Sequence, residues 1–138
     1  VSGSPAGALE LPDGDIVTGK TTTLLEATAA LLLNALKRLA GIDQETDIIS
    51  PQALEPICNL KVRHLHHKNP RLHADEVLIA LSISSTRNAD AAKALEQLEK
   101  LRGCDAHYTV ILSRMDEKTH KALGIYATSE PKYEVKPV

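Results

Sequence analysis

The sequence predicts a single α/β domain with three layers: a mostly parallel sheet, helices on both of its faces, and an antiparallel hairpin that opens the chain. A length of 138 residues is ordinary for one domain. The hydrophobic share of 43% is enough for a core, which must consist of Leu, Ile, Val and Ala because Phe and Trp are absent. Strand-like and helix-like segments follow in the order β-β-α-β-α-α-β-α-β, which favours a mostly parallel sheet.

The first element is a hairpin. Residues 8–11 alternate in polarity, a Pro-Asp-Gly turn follows, and β-branched residues favour a second strand over 15–18. The threonines at 21–23 are expected to cap a long helix over 24–40, which Gly41 ends. Because the first half of this helix is apolar almost all the way round, we expect it to be covered on more than one side.

The later elements follow from the same periodicities and end signals. The sequence predicts, in order, a strand over 46–49, helices over 52–63, 75–83 and 89–102, a strand over 106–112, a helix over 116–123 and a strand over 125–128. Asn88 is expected to cap the helix over 89–102, and Gly103 and Gly124 are expected to end helices. Residues 1–7 have the composition of a linker and 131–138 that of a tail, which leaves 8–130 as the domain.

The composition argues against several classes of partner. A net charge of −2 and a pI near 6.3 disfavour bulk attraction to nucleic acid or to anionic membranes. No apolar run reaches the length of a membrane span, and no signal peptide is visible.

Cys58 and Cys104 belong to no paired motif, so we interpret both as reduced core thiols of a cytoplasmic protein. The chain begins at Val1 without a Met, so we expect a processed product or a fragment.

One string matches the phosphate-binding loop pattern G-x-x-x-x-G-K-[ST], at residues 14–21. A loop of this kind follows a buried strand and curls so that its NH groups point inward. Here the first glycine belongs to a Pro-Asp-Gly turn and the residues between the glycines favour extended chain, so a hairpin followed by a helix start is preferred. A milder hypothesis places Gly19, Lys20 and Thr21 at a helix N-terminus that favours an anion, against a strand-to-helix corner with a solvated Lys20.

The order of elements also resembles the cytidine-deaminase-like fold. Zinc deaminases need His/Cys-x-Glu at the start of the helix after the hairpin, and Pro-Cys-x-x-Cys at the next helix start. The first of these helices has no such triplet, and the second, which follows Ser50, contains only Cys58. Because a zinc site needs three protein ligands, we predict no metal and no other cofactor.

Three other groups contain residue types that could carry chemistry. Segment 64–73 holds four histidines among basic residues, where metal or phosphate binding competes with a simply solvated loop. His107 begins a strand and is either a general base or a structural histidine. Ser113 and Arg114 lie where a strand ends and a helix begins, the position at which ligands gather in open α/β sheets. Arg114 would hold an anion there; the alternative is that acidic residues of the first turn simply complement the helix N-terminus.

The candidate anion-binding residues share a position at the start of a predicted helix. They are Gly19, Lys20, Thr21, Ser50, Ser113 and Arg114.

Several short strings together resemble one protein family. They include Leu11-Pro12-Asp13-Gly14, Thr18-Gly19-Lys20, Leu33-Asn34-Ala35, Ile49-Ser50-Pro51, Glu55-Pro56-Ile57, Asn69-Pro70, the run over 76–83, Gly103-Cys104, Ala106-His107, Ile111-Leu112-Ser113, Asp116-Glu117 and Leu123-Gly124-Ile125. Their order and spacing, over about residues 8–133, resemble the C-terminal region of the bacterial domain-of-unknown-function 1846 proteins, also called uncharacterised protein family 0371. The resemblance implies a cytidine-deaminase-like domain in a polypeptide several times longer, whose N-terminal part carries its own glycine-rich, phosphate-loop-like segment. It implies no catalytic residues, and Leu65-His66-His67 stands where a Leu-Gly pair is typical.

Two functions are consistent with these observations. In the first, the chain is the C-terminal α/β module of a larger cytoplasmic bacterial protein. It would pack against the missing N-terminal part, form homo-oligomers or complete a shared site. In the alternative, it is part of an enzyme that binds a phosphorylated or anionic small molecule near Lys20 and Arg114, with all six candidate residues in one cleft.

Overall fold

A computed structural model describes residues 5–130, which form a four-stranded sheet and five α-helices. The predicted tail, 131–138, and residues 1–4 of the predicted linker lie outside the described part. The strands are β1 (Ala6–Glu10), β2 (Ile16–Lys20), β3 (Asp105–Tyr108) and β4 (Tyr126–Ser129), in the spatial order β2-β1-β3-β4. The predicted opening hairpin is confirmed, although β1 begins inside the segment predicted as linker.

Most of the end signals that the sequence predicts lie at the ends of the observed helices. The helices are α1 (Ala27–Ala40), α2 (Pro51–Asn59), α3 (Ala74–Ser84), α4 (Ala89–Leu95) and α5 (Arg114–Leu123), with a π-helical turn over Leu60–His64 and a 3-10 turn over Leu98–Leu101. Gly41 and Gly124 end α1 and α5 in the left-handed conformation, as predicted. The Asn88 side chain caps α4 by accepting hydrogen bonds from the NH groups of Asp90 and Ala91.

Three element predictions are wrong in extent or type. The segment 46–49 forms no strand, although Ile48 and Ile49 are buried there. The predicted helix over 89–102 breaks after Leu95 and continues only as the 3-10 turn. The predicted strand over 106–112 ends at Tyr108. Apolar composition identified these segments as buried, but short apolar runs do not by themselves distinguish strand from coil.

The start of α1 differs from the prediction in a way that bears on function. Leu25 forms an isolated parallel bridge with Leu72, and Leu72 exchanges backbone hydrogen bonds with the carbonyl of Leu24 and the NH of Glu26. The helix therefore begins at Ala27, several residues after β2 ends. The prediction that Lys20 and its neighbours lie at a helix N-terminus is wrong, because this long-range pairing holds the intervening chain extended.

The sheet is less parallel than predicted. β1 lies between β2 and β3 and is antiparallel to both, so among the four strands of residues 5–130 the one parallel pair is β3–β4. The prediction of a mostly parallel sheet counted 46–49 as one of its strands, and that strand is absent from the described residues. The cytidine-deaminase-like fold stays a prediction.

The helices pack on one face of the sheet. Leu9, Val17, Ala106 and Tyr108 point to this face and are at most 3% exposed. α1 packs against β1 and β2 on one side and against α3 and α4 on the other, which confirms that it is covered on more than one side. None of the helices within residues 5–130 is long and apolar enough to cross a membrane.

The opposite face of the sheet, which we call the open face, is exposed across all four strands. Its exposed residues are Glu10, Ile16, Thr18, Lys20, Asp105, His107, Tyr126 and Thr128. Because these side chains are accessible, no described helix covers this face, and the described residues form a sheet with helices on one side.

Candidate functional site

The predicted anion-binding residues lie in separate places. Gly19 and Lys20 line a cavity of about 440 Å³ together with Asn34 of α1 and the chain around Ile48. The hydroxyl of Thr21 is buried and has no hydrogen-bond partner among the described residues. Gly19 packs directly against the backbone of α1, where a Cβ atom would approach the Leu31 nitrogen to 2.5 Å. The second glycine of the loop pattern therefore serves strand-to-helix packing.

The other predicted residues line different cavities. Ser50 lies in a second cavity, beside Arg87 and Asn88. Ser113 lines a third, of about 240 Å³, and Arg114 begins α5 with its side chain exposed. The structure thus does not bring Lys20, Ser50 and Ser113 to one cavity.

The third cavity contains a histidine–carboxylate pair that the sequence did not connect. Nδ1 of His73 lies 3.1 Å from Oδ2 of Asp116, and both residues line the cavity with Ser113. The His73 side chain is 30% exposed, whereas that of Asp116 is only 5% exposed. A buried carboxylate that holds one nitrogen of a partly accessible imidazole fixes the orientation of the ring.

Several donors hold Asp116 in place. Its carboxylate accepts hydrogen bonds from the NH of Ala74 at 3.1 Å and from the hydroxyl of Thr28 at 3.2 Å. Its own NH donates to the hydroxyl of Ser113, the N-cap of α5. Thr28, Ala74 and Asp116 belong to the first turns of α1, α3 and α5, so one carboxylate joins three helix N-termini, where a negative charge is favoured.

The pair shifts the protonation of both partners. The hydrogen bond and charge of Asp116 raise the pKa of His73 above 6.5, against a smaller opposing effect of burial. Burial alone would raise the pKa of Asp116, but the hydrogen bonds from His73, Ala74 and Thr28 outweigh it and hold this pKa below 3.8. Asp116 is therefore an ionised buried carboxylate near neutral pH.

A second histidine, which is fully buried, contacts Asp116 from within the core. His120 is 1% exposed, and its Nδ1 lies 2.7 Å from the carbonyl oxygen of Asp116, so Nδ1 donates. Nε2 of the neutral ring then accepts from the hydroxyl of Tyr108 at 2.8 Å, and the two rings meet edge to face. This arrangement links the backbone of Asp116 to β3, and burial raises the pKa of the Tyr108 hydroxyl.

A partly buried ion pair fixes the backbone of His73. Lys61, in the π-helical turn, places its Nζ 2.7 Å from Oε1 of Glu76 and 2.6 Å from the carbonyl oxygen of Arg71. The same Glu76 oxygen accepts from the backbone NH of His73 at 2.8 Å. The backbone of His73 is thereby tied to α3 while its ring reaches Asp116.

The remaining histidines have simpler surroundings. His64, His66 and His67 are exposed, and no group of three or more His, Cys, Asp or Glu within residues 5–130 is arranged to hold a metal ion. His107 lies on the open face, where its ring nitrogens lie 2.7 Å from the Thr128 hydroxyl and 3.2 Å from a Glu130 carboxylate oxygen. Both cysteines are buried and free, which confirms their prediction as core thiols.

The sequence indicates parts of this site. Ser113 follows a predicted strand, and the acidic residues of the first turn of α5 are of the type that complements a helix N-terminus. His73 belongs in sequence to the histidine-rich segment 64–73, but the structure separates it from the exposed histidines of that segment. His73 and Asp116 are 43 positions apart and so leave no local pattern, although a capping Ser followed three residues later by an acidic residue is a recognisable helix start.

Comparison with known proteins identifies the family. The family model described as "Domain of unknown function DUF1846, C-terminal" matches residues 1–138. A UPF0371 protein of Corynebacterium efficiens is 57% identical over 135 residues, which are 98% of this chain and 27% of the relative. UPF0371 proteins of Corynebacterium urealyticum and Streptococcus sanguinis are 57% and 50% identical, each over 96% of this chain and 27% of the relative.

The chain thus spans about a quarter of the length of the relatives it matches. These relatives are bacterial, and each contains a long polypeptide in addition to the region similar to this chain. With the family model matching from end to end, the chain belongs to the DUF1846 (UPF0371) family and corresponds to its C-terminal domain.

Proposed function

We propose that this domain is a packing module, and that its open face docks against the rest of the longer polypeptide in which the family occurs. The observation that carries the proposal is a row of residues across the open face. Ile16, Glu10, Asp105 and Tyr126 lie directly opposite one another on successive strands. Ile16 is 55% exposed and Tyr126 is 69% exposed, so an apolar contact is available at each end of the row.

The charges in the middle of this row favour a basic partner. Glu10 and Asp105 face each other on neighbouring strands, an arrangement that destabilises a sheet when both are ionised. Among the described residues neither forms an ion pair; Arg102 lines an adjacent cavity with both but pairs with neither. We expect the docked segment to place a Lys or Arg between them and apolar side chains against Ile16 and Tyr126.

The parallel pair β3–β4 supports the same proposal. Parallel strands are usually covered on both faces, and here one face is uncovered among the described residues. The additional polypeptide of the relatives is long enough to supply that cover. A second copy of this chain, docked in a homo-oligomer, is the competing occupant of the open face. The test below distinguishes the two occupants.

Hydroxyl-radical footprinting tests the docking. The labelling rate of Tyr126 would be compared between the 138-residue chain alone and a chimaera. In the chimaera, the chain replaces the matching region of the Corynebacterium efficiens relative. We expect about tenfold slower labelling of Tyr126 in the chimaera, with buried Tyr108 slow in both. Glu10→Lys should restore labelling, whereas Glu99→Lys, an exposed change in the 3-10 turn, should not.

Equal labelling of Tyr126 in the two proteins would refute the proposal. Protection in the isolated chain that grows with its concentration would instead show that a second copy occupies the face.

A second function, binding of a phosphorylated or anionic small molecule near Lys20, stays a prediction. The observation in its favour is the cavity that Gly19 and Lys20 line. Isothermal titration of nucleotides and sugar phosphates into the chain and into Lys20→Ala tests it, because equal affinities would remove Lys20 from any such site.

A further inference from the structure

We infer that His73 and Asp116 form a proton-transfer pair that acts on a small neutral carbonyl compound bound in the cavity of about 240 Å³ beside them. The inference is independent of docking at the open face. It rests on the geometry of the pair, on the lining of the cavity and on the unsatisfied start of α1.

The geometry leaves one ring nitrogen of His73 for a ligand. Nδ1 donates to Asp116, so Nε2 of the neutral ring carries the lone pair. Among residues 5–130 no hydrogen-bond partner is found for Nε2, and the side chain is partly exposed where it lines the cavity. A histidine oriented by a buried carboxylate in this way is suited to accept a proton, because the carboxylate stabilises the imidazolium that forms.

The lining indicates a neutral ligand. Val110, Ile111 and Leu112 contribute apolar side chains to the cavity. The positive ends of the helices already face the carboxylate of Asp116, and Glu26 lines the same cavity. A further anion would meet two carboxylates, whereas a small molecule with an uncharged carbonyl group would meet apolar side chains and free NH donors.

The donors come from the first turn of α1. Its N-cap, Glu26, makes no capping hydrogen bond, and no described residue accepts from the NH groups of Ala27 and Thr28. Both residues line the cavity and both are 3% exposed. Buried NH groups without acceptors are costly, and a carbonyl oxygen of a ligand would satisfy them.

The reaction that fits this arrangement is the addition of water to the carbonyl carbon of an ester. His73 Nε2 takes a proton from the water as the new C–O bond forms, and the carbonyl electron pair moves onto oxygen beside the α1 NH groups. The carbonyl then reforms, the bond to the alkoxy group breaks, and the proton on Nε2 passes to the departing oxygen. The products are an acid and an alcohol, and Asp116 stays ionised throughout.

The ester p-nitrophenyl acetate is the probe. With the 138-residue chain, we expect His73→Gln to lower the rate of p-nitrophenolate release about tenfold or more. The matched control is His67→Gln, which changes an exposed histidine of the neighbouring segment and should leave the rate unaltered. Equal rates in the wild type and both variants would overturn the proposal.

Asp116→Asn tests the role of the carboxylate. Lys61, Glu26 and Glu76 also face or adjoin His73 and stay unchanged, so the midpoint of the pH–rate profile should move to lower pH when Asp116 loses its charge. If this variant does not fold, nitrogen NMR of wild-type His73 decides instead. The proposal requires the neutral ring to carry its proton on Nδ1, and a proton on Nε2 would overturn it.

Discussion

Gly19 lies on the buried side of β2, and its replacement by alanine tests why the glycine of the phosphate-loop pattern is present. The backbone at this position does not require glycine, because the φ angle of Gly19 does not lie in the positive range that favours glycine. An added Cβ would, however, lie 2.5 Å from the nitrogen and 2.6 Å from the Cα of Leu31. Both are backbone atoms within α1, so no side-chain rotation relieves the clash.

The expected cost follows from these distances. Ordinary carbon contacts lie at about 3.5–4 Å, so β2 and α1 must separate by roughly 1 Å to admit the methyl group. Overpacking of this kind costs about 1–3 kcal/mol, and the upper half applies because a helix backbone must move. The smaller conformational freedom of alanine in the unfolded chain offsets about 0.4–1 kcal/mol. We therefore expect a net loss of about 2 kcal/mol in the free energy of unfolding.

Urea denaturation of the 138-residue chain measures this loss. The control is Lys20→Ala, at the exposed next position of the strand, which should change the stability by less than about 0.5 kcal/mol. A Gly19→Ala protein as stable as the control would refute the packing argument. A stable Gly19→Ala protein that had lost affinity for a nucleoside triphosphate would show instead that the loop pattern binds phosphate.

Three further predictions concern stability. Gly7→Ala should cost about 1–3 kcal/mol in urea denaturation, because the new Cβ would lie 2.5 Å from ring carbons of Tyr108; an unchanged midpoint would contradict this contact. The raised pKa of His73 contributes stability that is complete below pH 6.5 and is lost as the pH rises through the raised pKa. The lowered pKa of Asp116 contributes stability that is complete above pH 3.8 and is lost as the pH falls through the lowered pKa. The urea midpoint of unfolding should therefore fall as the pH rises from about 6 to 8, and it should fall by less in Asp116→Asn. Equal falls in the wild type and in Asp116→Asn would count against the pair. Asn88→Ala should cost about 1 kcal/mol by removing the cap of α4, and Asn88→Asp, which keeps an acceptor, should restore most of it.

Local patterns were sufficient for much of the fold. The Pro-Asp-Gly turn between two short strands predicted the hairpin, and Asn88, Gly41 and Gly124 predicted helix ends, because caps and turns depend on interactions within a few residues. The order of strings along the chain also identified the family, which the family model and the relatives confirm.

Other features depended on partners far away in sequence. The chain before α1 is extended because it pairs with Leu72, and nothing near Lys20 indicates that pairing. Segment 46–49 has the apolar residues of a strand, but Ile48 and Ile49 are buried without strand pairing. Burial was predictable from composition there, whereas hydrogen-bond pairing was not.

The sequence by itself determined an α/β domain of the DUF1846 family with its hairpin, its helix ends and its buried cysteines. The hairpin, the helix ends and the buried cysteines follow from side-chain polarity and from turn and cap chemistry, which act over a few residues, whereas the family follows from the order of short strings along the chain. Only the tertiary structure decided that β1 lies between β2 and β3, that no helix within residues 5–130 covers one face of the sheet, and that His73 meets Asp116 where three helices begin. Those features arise when segments separated by tens of residues pack together, and their free energy depends on the whole arrangement, which no local pattern records.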